Sequence, residues 1–197
     1  MVGELHTSRL LLRALRASDF PMWSEVRLRC SEYLKVWEPM RPDGSPDPAT
    51  DPVAFATRCA SRDRERQLGV AYAHGIFLDR RFVGEMNLSN VRRGPFQSGD
   101  IGYWVDEQCA GLGIAPEALV AVMGLAFEEV RLHRVEISII PRNSRSRRVV
   151  EKLGIRQEGV AQKYLEINGV WEDHVRYALT SEEWLQRRTE LRAIVSR

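Results

Sequence analysis

Residues 101–119 read IGYWVDEQCAGLGIAPEAL, and the fold turns on them. Residues 101–106 suit a strand. A Gln-x-x-Gly-x-Gly run follows at Gln108, Gly111 and Gly113. Beyond it, Leu119, Val122, Met123, Ala126, Phe127 and Val130 recur on one face of a helix expected over 117–130. A second strand comes next, over 133–140, where Val135, Ile137 and Ile139 alternate with Glu136 and Ser138. Strand, glycine turn, helix and strand make a crossover unit, which needs a sheet with parallel neighbours. The fold class is therefore α/β.

Outward from this unit the chain punctuates itself. Residues 9–15 suit a short strand. Ser18 is placed to cap a helix running to about Arg29, with Pro21 in its first turn. Residues 38–52, EPMRPDGSPDPATDP, hold five of nine prolines and form a loop, either a plain connection or one side of a substrate mouth. A second helix is expected over 53–66. Strands over 70–78 and 81–90 meet at Asp79-Arg80. RRGPFQSG is a loop. A helix over 144–153 stops at Gly154. Strands over 155–167 and from Trp171 onward flank the Asn168-Gly169 turn, with Trp171, Asp173, Val175, Tyr177 and Leu179 on one face. Ser181 caps a last short helix, followed by an expected frayed tail after Arg187 unless Leu191 and Ile194 dock.

Composition removes several functions. With 197 residues, one domain with its own core is expected. A net charge of +2 gives no argument for nucleic acid. The three cysteines, Cys30, Cys59 and Cys109, have neither metal-site nor disulfide spacing, so no metal is expected and a reducing, cytoplasmic setting is. No stretch suits a membrane span or a signal peptide.

The glycine loop carries the chemistry. Successive N–H groups at a helix start form an anion nest, and the helix dipole favours negative charge there, so a phosphate or pyrophosphate is the natural guest. Residues 111–116, GLGIAP, lack the third glycine of a dinucleotide fingerprint and the Gly-Lys-Ser/Thr of a nucleoside-triphosphate loop. The plainer alternative is that Gly111 and Gly113 only shape a connection.

This stretch resembles the pyrophosphate loop of the GCN5-related N-acetyltransferases (GNAT), Arg/Gln-x-x-Gly-x-Gly/Ala. LSNVRRGPF at 88–96, IGYWVD at 101–106, HRVEISIIPRNSRSRRVVEKLG at 133–154 and QEGVAQKYLEINGVWEDHVRYALT at 157–180 resemble the RimJ/RimL branch of ribosomal-protein N-terminal acetyltransferases. The SNVRRG, KYLEING and DHVRYALT runs lean to its RimJ side. The resemblance implies a GNAT-like mixed sheet with flanking helices and two splayed central strands, and acetyl-CoA wedged between residues 101–106 and 134–140. It implies cofactor contacts at Val105, Gln108, Ala110, Gly111, Leu112, Gly113, Ile114, Ala115, Asn143 and Ser146.

Individual roles follow from that resemblance and keep their alternatives. Asn143 suits an amide of the pantetheine arm, or caps a helix. Ser146 suits the acid that protonates the departing thiolate, or is an ordinary first-turn serine. Val105 N–H is the implied oxyanion donor. Glu85 and Asp100 are the candidate bases, or strand-edge charges. The glutamate that the RimL side places before its Tyr-Leu-Asn-Gly run falls at Leu165, one residue from Glu166 and so on the other strand face, and no role is carried over. Nothing marks Cys109 as a nucleophile, and His133 is not its evident partner.

Residues 131–152 carry a local net charge of +5, from Arg131, Arg134, Arg142, Arg145, Arg147, Arg148 and Lys152 against Glu136 and Glu151. This is a solvated face or a phosphate-facing one, near the cofactor's 3′-phosphate. The implied activity is acetyl transfer from acetyl-CoA to a protein N-terminal α-amine, in a monomer or homodimer. A small-molecule amine, such as an aminoglycoside or polyamine, is the competing acceptor. Asp43, Asp47 and Asp51 could then supply an acidic pocket, partly offset by Arg41. Another CoA-dependent acyl transfer and a non-enzymatic CoA-binding or ribosome-associated module are further alternatives.

Overall fold

The computed structural model describes residues 3–195. Eight strands form one sheet: β1 (Leu5–His6), β2 (Leu10–Arg13), β3 (Tyr72–Leu78), β4 (Arg81–Arg92), β5 (Ser98–Val105), β6 (Arg134–Ile139), β7 (Arg156–Ile167) and β8 (Val170–Thr180). Their order is β1-β2-β3-β4-β5-β6-β8-β7. Among the described residues only β5 and β6 run parallel; every other neighbouring pair is antiparallel. The mixed α/β sheet expected from the crossover unit is present.

Six helices flank it: α1 (Phe20–Arg29), α2 (Ser31–Lys35), α3 (Pro52–Leu68), α4 (Ile114–Gly124), α5 (Ser144–Lys152) and α6 (Ser181–Val195). Two apolar clusters lie against the sheet. In the larger, Leu119, Val122 and Met123 of α4, Val150 of α5 and Trp184 of α6 pack with Met86, Leu88 and Ile137. In the smaller, Trp23, Val26, Phe55 and Cys59 of α1 and α3 pack with Phe77 and Phe82. Removing each such side chain from water stabilises the fold by about 1.5–3 kcal/mol.

Several boundaries differ from expectation, each for a local reason. α1 is entered through a 3-10 turn at Ala17–Asp19, and Asp19 holds it in place of Ser18: its Oδ2 accepts Arg16 N–H at 2.8 Å while Arg13 grips both carboxylate oxygens. The short α2 was not foreseen. α4 starts at Ile114, three residues before the expected start at 117, and runs on as a π-helical turn over Leu125–Glu129. The expected frayed tail is helical as far as Val195: α6 has 15 residues and buries Leu191 completely. The outermost strand, β7, has its register against β8 shifted twice, between Gln157 and Gly159 and between Ala161 and Leu165. Lys163 lies there at φ 44°. No helix among the described residues is long and apolar enough to cross a membrane.

Candidate active site

The parallel strands pair only at Ser98↔Arg134, Gly99↔Val135 and Asp100↔Glu136. Beyond Asp100, β5 stays with β4 as far as Val105, and β6 stays with β8 as far as Ile139, so the two central strands part. This is the splay that the resemblance implied. Asp106 N–H donates to the Val83 carbonyl of β4 at 2.8 Å. Successive strand N–H groups point to opposite sides, so Val105 N–H points into the splay, where no strand receives it.

A cleft of about 1360 Å³ opens there. The glycine loop, the start of α4 and one face of α5 line its first half; Trp23 and Arg27 of α1, Arg58 and Arg62 of α3, Glu85, Trp104 and the 38–49 loop line its second.

The first half is built from backbone. Gly111 (φ 84°) and Gly113 (φ 78°) are left-handed, and Gly113 is the residue that opens α4. A Cβ on Gly111 would meet nothing within 4 Å, so its requirement is the dihedral rather than space. Two buried carboxylates secure the loop, neither foreseen in the sequence. At its entrance Asp106 accepts Gln108 N–H at 3.1 Å and Arg29 Nη2 at 2.5 Å. At its exit Glu117 accepts Arg9 Nε at 2.8 Å and Thr7 Oγ1 at 2.6 Å, while Arg9 Nη1 donates to the Leu112 carbonyl at 3.0 Å. The side-chain partners that fix these acids lie 77 and 108–110 residues away in the chain, beyond any local pattern.

At the inner end, Asn143 caps α5, its Oδ1 accepting Ser146 N–H at 3.1 Å, which leaves its Nδ2 donor for a ligand. Ser146 Oγ donates to Tyr103 Oη at 3.0 Å, and Tyr103 Oη donates to the Ser146 carbonyl at 3.1 Å. Burial pushes the Tyr103 phenol well above its ordinary range, so it stays protonated and acts as a fixed support for the serine. Tyr103 was not singled out in the sequence.

The second half is built from side chains. Glu85 is 1% exposed; Oε1 accepts Trp23 Nε1 and Oε2 accepts Arg58 Nη2, both at 2.6 Å. Arg27 makes a two-pronged contact with Glu38 at 2.8 Å and lies over the Trp104 ring, 5.0 Å from its centroid.

The structure brings together Glu85, Val105, Ala110, Gly111, Gly113, Ile114, Ala115, Asn143 and Ser146 as cleft lining. It leaves out Gln108 and Leu112, which are exposed on the loop, and Asp100. Asp100 stands where β5 and β6 are still paired and accepts Asn90 Nδ2 at 3.0 Å. The acidic pocket is not built. Asp47 is held by Arg41, Asp51 caps α3 through Val53 N–H at 2.8 Å, and Asp43 does not line the cleft. Neither Leu165 nor Glu166 reaches it. Burial raises the Cys109 thiol above its usual range, the opposite of an activated nucleophile, and His133 sits 3.2 Å from Glu182.

Known proteins are similar to this chain in sequence and in fold. The chain is 31% identical to the Escherichia coli [ribosomal protein uS5]-alanine N-acetyltransferase over 92% of both chains. Its 44% identity to "Probable N-acetyltransferase YjcK" of Bacillus subtilis covers 57% of this chain and 63% of that one. The solved structure of Mycobacterium smegmatis RimJ in complex with CoA-disulfide superimposes with a TM-score of 0.88 at 35% identity, over 100% of this chain and 94% of that one. A family model described as the acetyltransferase (GNAT) domain matches residues 9–156. The chain belongs to the GNAT acetyltransferase family.

Proposed function

We propose that the protein transfers an acetyl group from acetyl-CoA to the N-terminal α-amine of a protein, with a ribosomal protein as the target. The observation that carries this reading is the cleft at the splay, with an anion nest at one end and a mouth without unpaired acid at the other.

The donor fits the residues present. Its pyrophosphate matches the left-handed glycines and the start of α4. Its amide-bearing arm matches Asn143 Nδ2 at the parted strands. When bound, acetyl-CoA supplies a thioester whose carbonyl carbon an amine can attack. The chain's own residues do the rest. Val105 N–H donates to the oxygen on which negative charge grows. Ser146 Oγ–H, which rests on Tyr103 Oη in this structure, turns from it to donate to the departing sulfur. Glu85 accepts two hydrogen bonds and keeps a lone pair on each oxygen, so it can take the amine proton through a water. The demand on it is modest, because an α-amine has a pKa of about 7.7–8.0.

The acceptor class follows from charge. An aminoglycoside or polyamine needs several free carboxylates. Here Glu85 holds Arg58, Glu38 holds Arg27 and Asp47 holds Arg41, and the one further acid of the lining among the described residues, Glu32, stands 3.9 Å from Lys35. A peptide N-terminus brings one amine and neutral backbone, and the open mouth accommodates the chain behind it. The relatives named as ribosomal-protein-alanine and ribosomal-protein-serine acetyltransferases support the same choice.

The test is a panel of N-terminal peptides of ribosomal proteins beside aminoglycosides and polyamines, read by CoA release and product mass. The expected result is acetylation of a peptide α-amine. Turnover confined to the small amines would replace this reading with the competing one.

A further inference from the structure

Asn87 lines the cleft, and the fold makes no use of its amide. It lies in the middle of β4, two residues past Glu85 and on the same face. Its Oδ1 is buried and has no hydrogen-bond partner among the described residues. Its Nδ2 has none either, but it is not shut in, so the donor end of the amide is left open to the cleft. The fold gains nothing from such a group. The buried oxygen has given up water without a partner, and an apolar side chain of the same size would serve the sheet at least as well. Asparagine is also among the poorer strand formers. The amide has its use outside the fold.

Its surroundings leave room for a ligand. Across the ladder Asn87 faces Ala73 on β3 and Gly102 on β5. Gly102 is exposed in the cleft, and a Cβ there would meet nothing within 4 Å. It comes two residues after Asp100, the last residue of β5 paired with β6. Asn87 therefore stands beside an open floor where the strands have parted. The face decides which reactant comes to it. Tyr103, next to Gly102 in β5, points to the other side of the sheet and meets Ser146 at the donor end. Asn87 shares its side with Glu85 and Trp104, and so with the Trp23 and Arg58 that hold Glu85 at the acceptor end.

A peptide N-terminus differs from a plain amine in the carbonyl next to its Cα, and an amide N–H is the matching donor. Glu85 lies about 7 Å away along the strand, a span that fits the amine and one water between the two side chains. We infer that Asn87 Nδ2 donates to the carbonyl of the acceptor's first residue, which aims the amine and selects peptide N-termini over amines that lack this carbonyl. The inference rests on the peptide-acceptor reading above and names the residue that gives it its selectivity.

Asn87→Leu keeps the size and removes the donor. The variant should melt at or above the temperature of the unaltered protein and bind acetyl-CoA within about two-fold of it by calorimetry. Its kcat/KM for the peptide acetylated in the panel should fall roughly 5- to 10-fold, as for one lost hydrogen bond. The same peptide with an alkene in place of its first peptide group, added as a competitor, should inhibit both proteins alike. An unchanged kcat/KM overturns the inference, as does weakened inhibition by the alkene analogue in the variant. A lowered melt overturns it by giving the amide a role in the fold, and weakened acetyl-CoA binding by giving it to the donor. Absence of peptide turnover by the unaltered protein overturns the acceptor reading instead.

Discussion

The two ends of the cleft solve their problems with different materials. The donor end is made of main chain: two left-handed glycines, the N–H groups at the α4 start and one strand amide turned into the splay. Its side chains work from behind, as Asp106 and Glu117 fix the loop without facing the ligand groups it would hold. The acceptor end is made of side chains, with Trp23, Arg58 and Glu85 drawn from α1, α3 and β4 into one buried cluster. Backbone sites tolerate almost any residue except where a dihedral is demanding. Side-chain sites depend on each member's identity.

That contrast can be broken. The largest effect is expected at Gly113. Valine there must adopt φ near 78° and press its Cβ to 3.3 Å from Arg9 Nη2. Strain of about 1–3 kcal/mol at the nest should weaken CoA binding by roughly 10- to 100-fold, measured by calorimetry on a folded variant. Unchanged affinity would remove the loop from the donor site.

Next comes Ser146, whose hydroxyl belongs to the donor end but acts through its side chain. Ser146→Ala should lower kcat by roughly 10- to 100-fold while CoA affinity barely moves, because its contribution grows as charge develops on sulfur. A fully active variant would leave it as a helix-start residue held by Tyr103.

Glu85→Gln sharpens the contrast further. Its rate deficit should be several-fold at pH 6 and should fade by pH 9, since an amine with a pKa of about 7.7–8.0 is mostly neutral at the upper end. Steady-state rates across that range decide it, and a constant deficit would leave solvent as the proton acceptor. The smallest effect is expected at Asp100, below the point where the strands part: Asp100→Asn should leave kcat and the KM for acetyl-CoA within about two-fold, as for an ordinary surface substitution.

Legibility in the sequence divides along the same line. The glycine loop, the crossover unit and the Asn143–Ser146 start of α5 are contiguous patterns, and the structure places their glycines, Asn143 and Ser146 in the cleft. Glu85 was singled out, but its partners were not, because Trp23 lies 62 residues away and Arg58 27. Asp100 shares a strand face with Gly102 and Trp104, so periodicity does not separate it from the cleft; what does is the length over which β5 and β6 remain paired. The acidic loop misled for a related reason. Charge counts cannot show that Asp47 answers Arg41 and that Asp51 serves α3. The six cations over 134–152 read as one patch, and only three-dimensional pairing separates the arginines held by Glu158, Glu172 and Glu151 from Arg148 and Lys152, which line the cleft.

The two register shifts in β7 have a consequence for the molecule's behaviour among its own copies. β7 ends the sheet, and a regular strand of 12 residues there would present a row of unpaired N–H and C=O groups able to template a strand from another chain. The extra residue before Gly159 and the excursion around Lys163 break that row into short lengths, and a lysine side chain stands at the break. With Val160, Leu165, Val170 and Trp171 all exposed nearby, this hairpin combines the ingredients of self-association, and its irregular backbone denies them a straight edge on which to assemble.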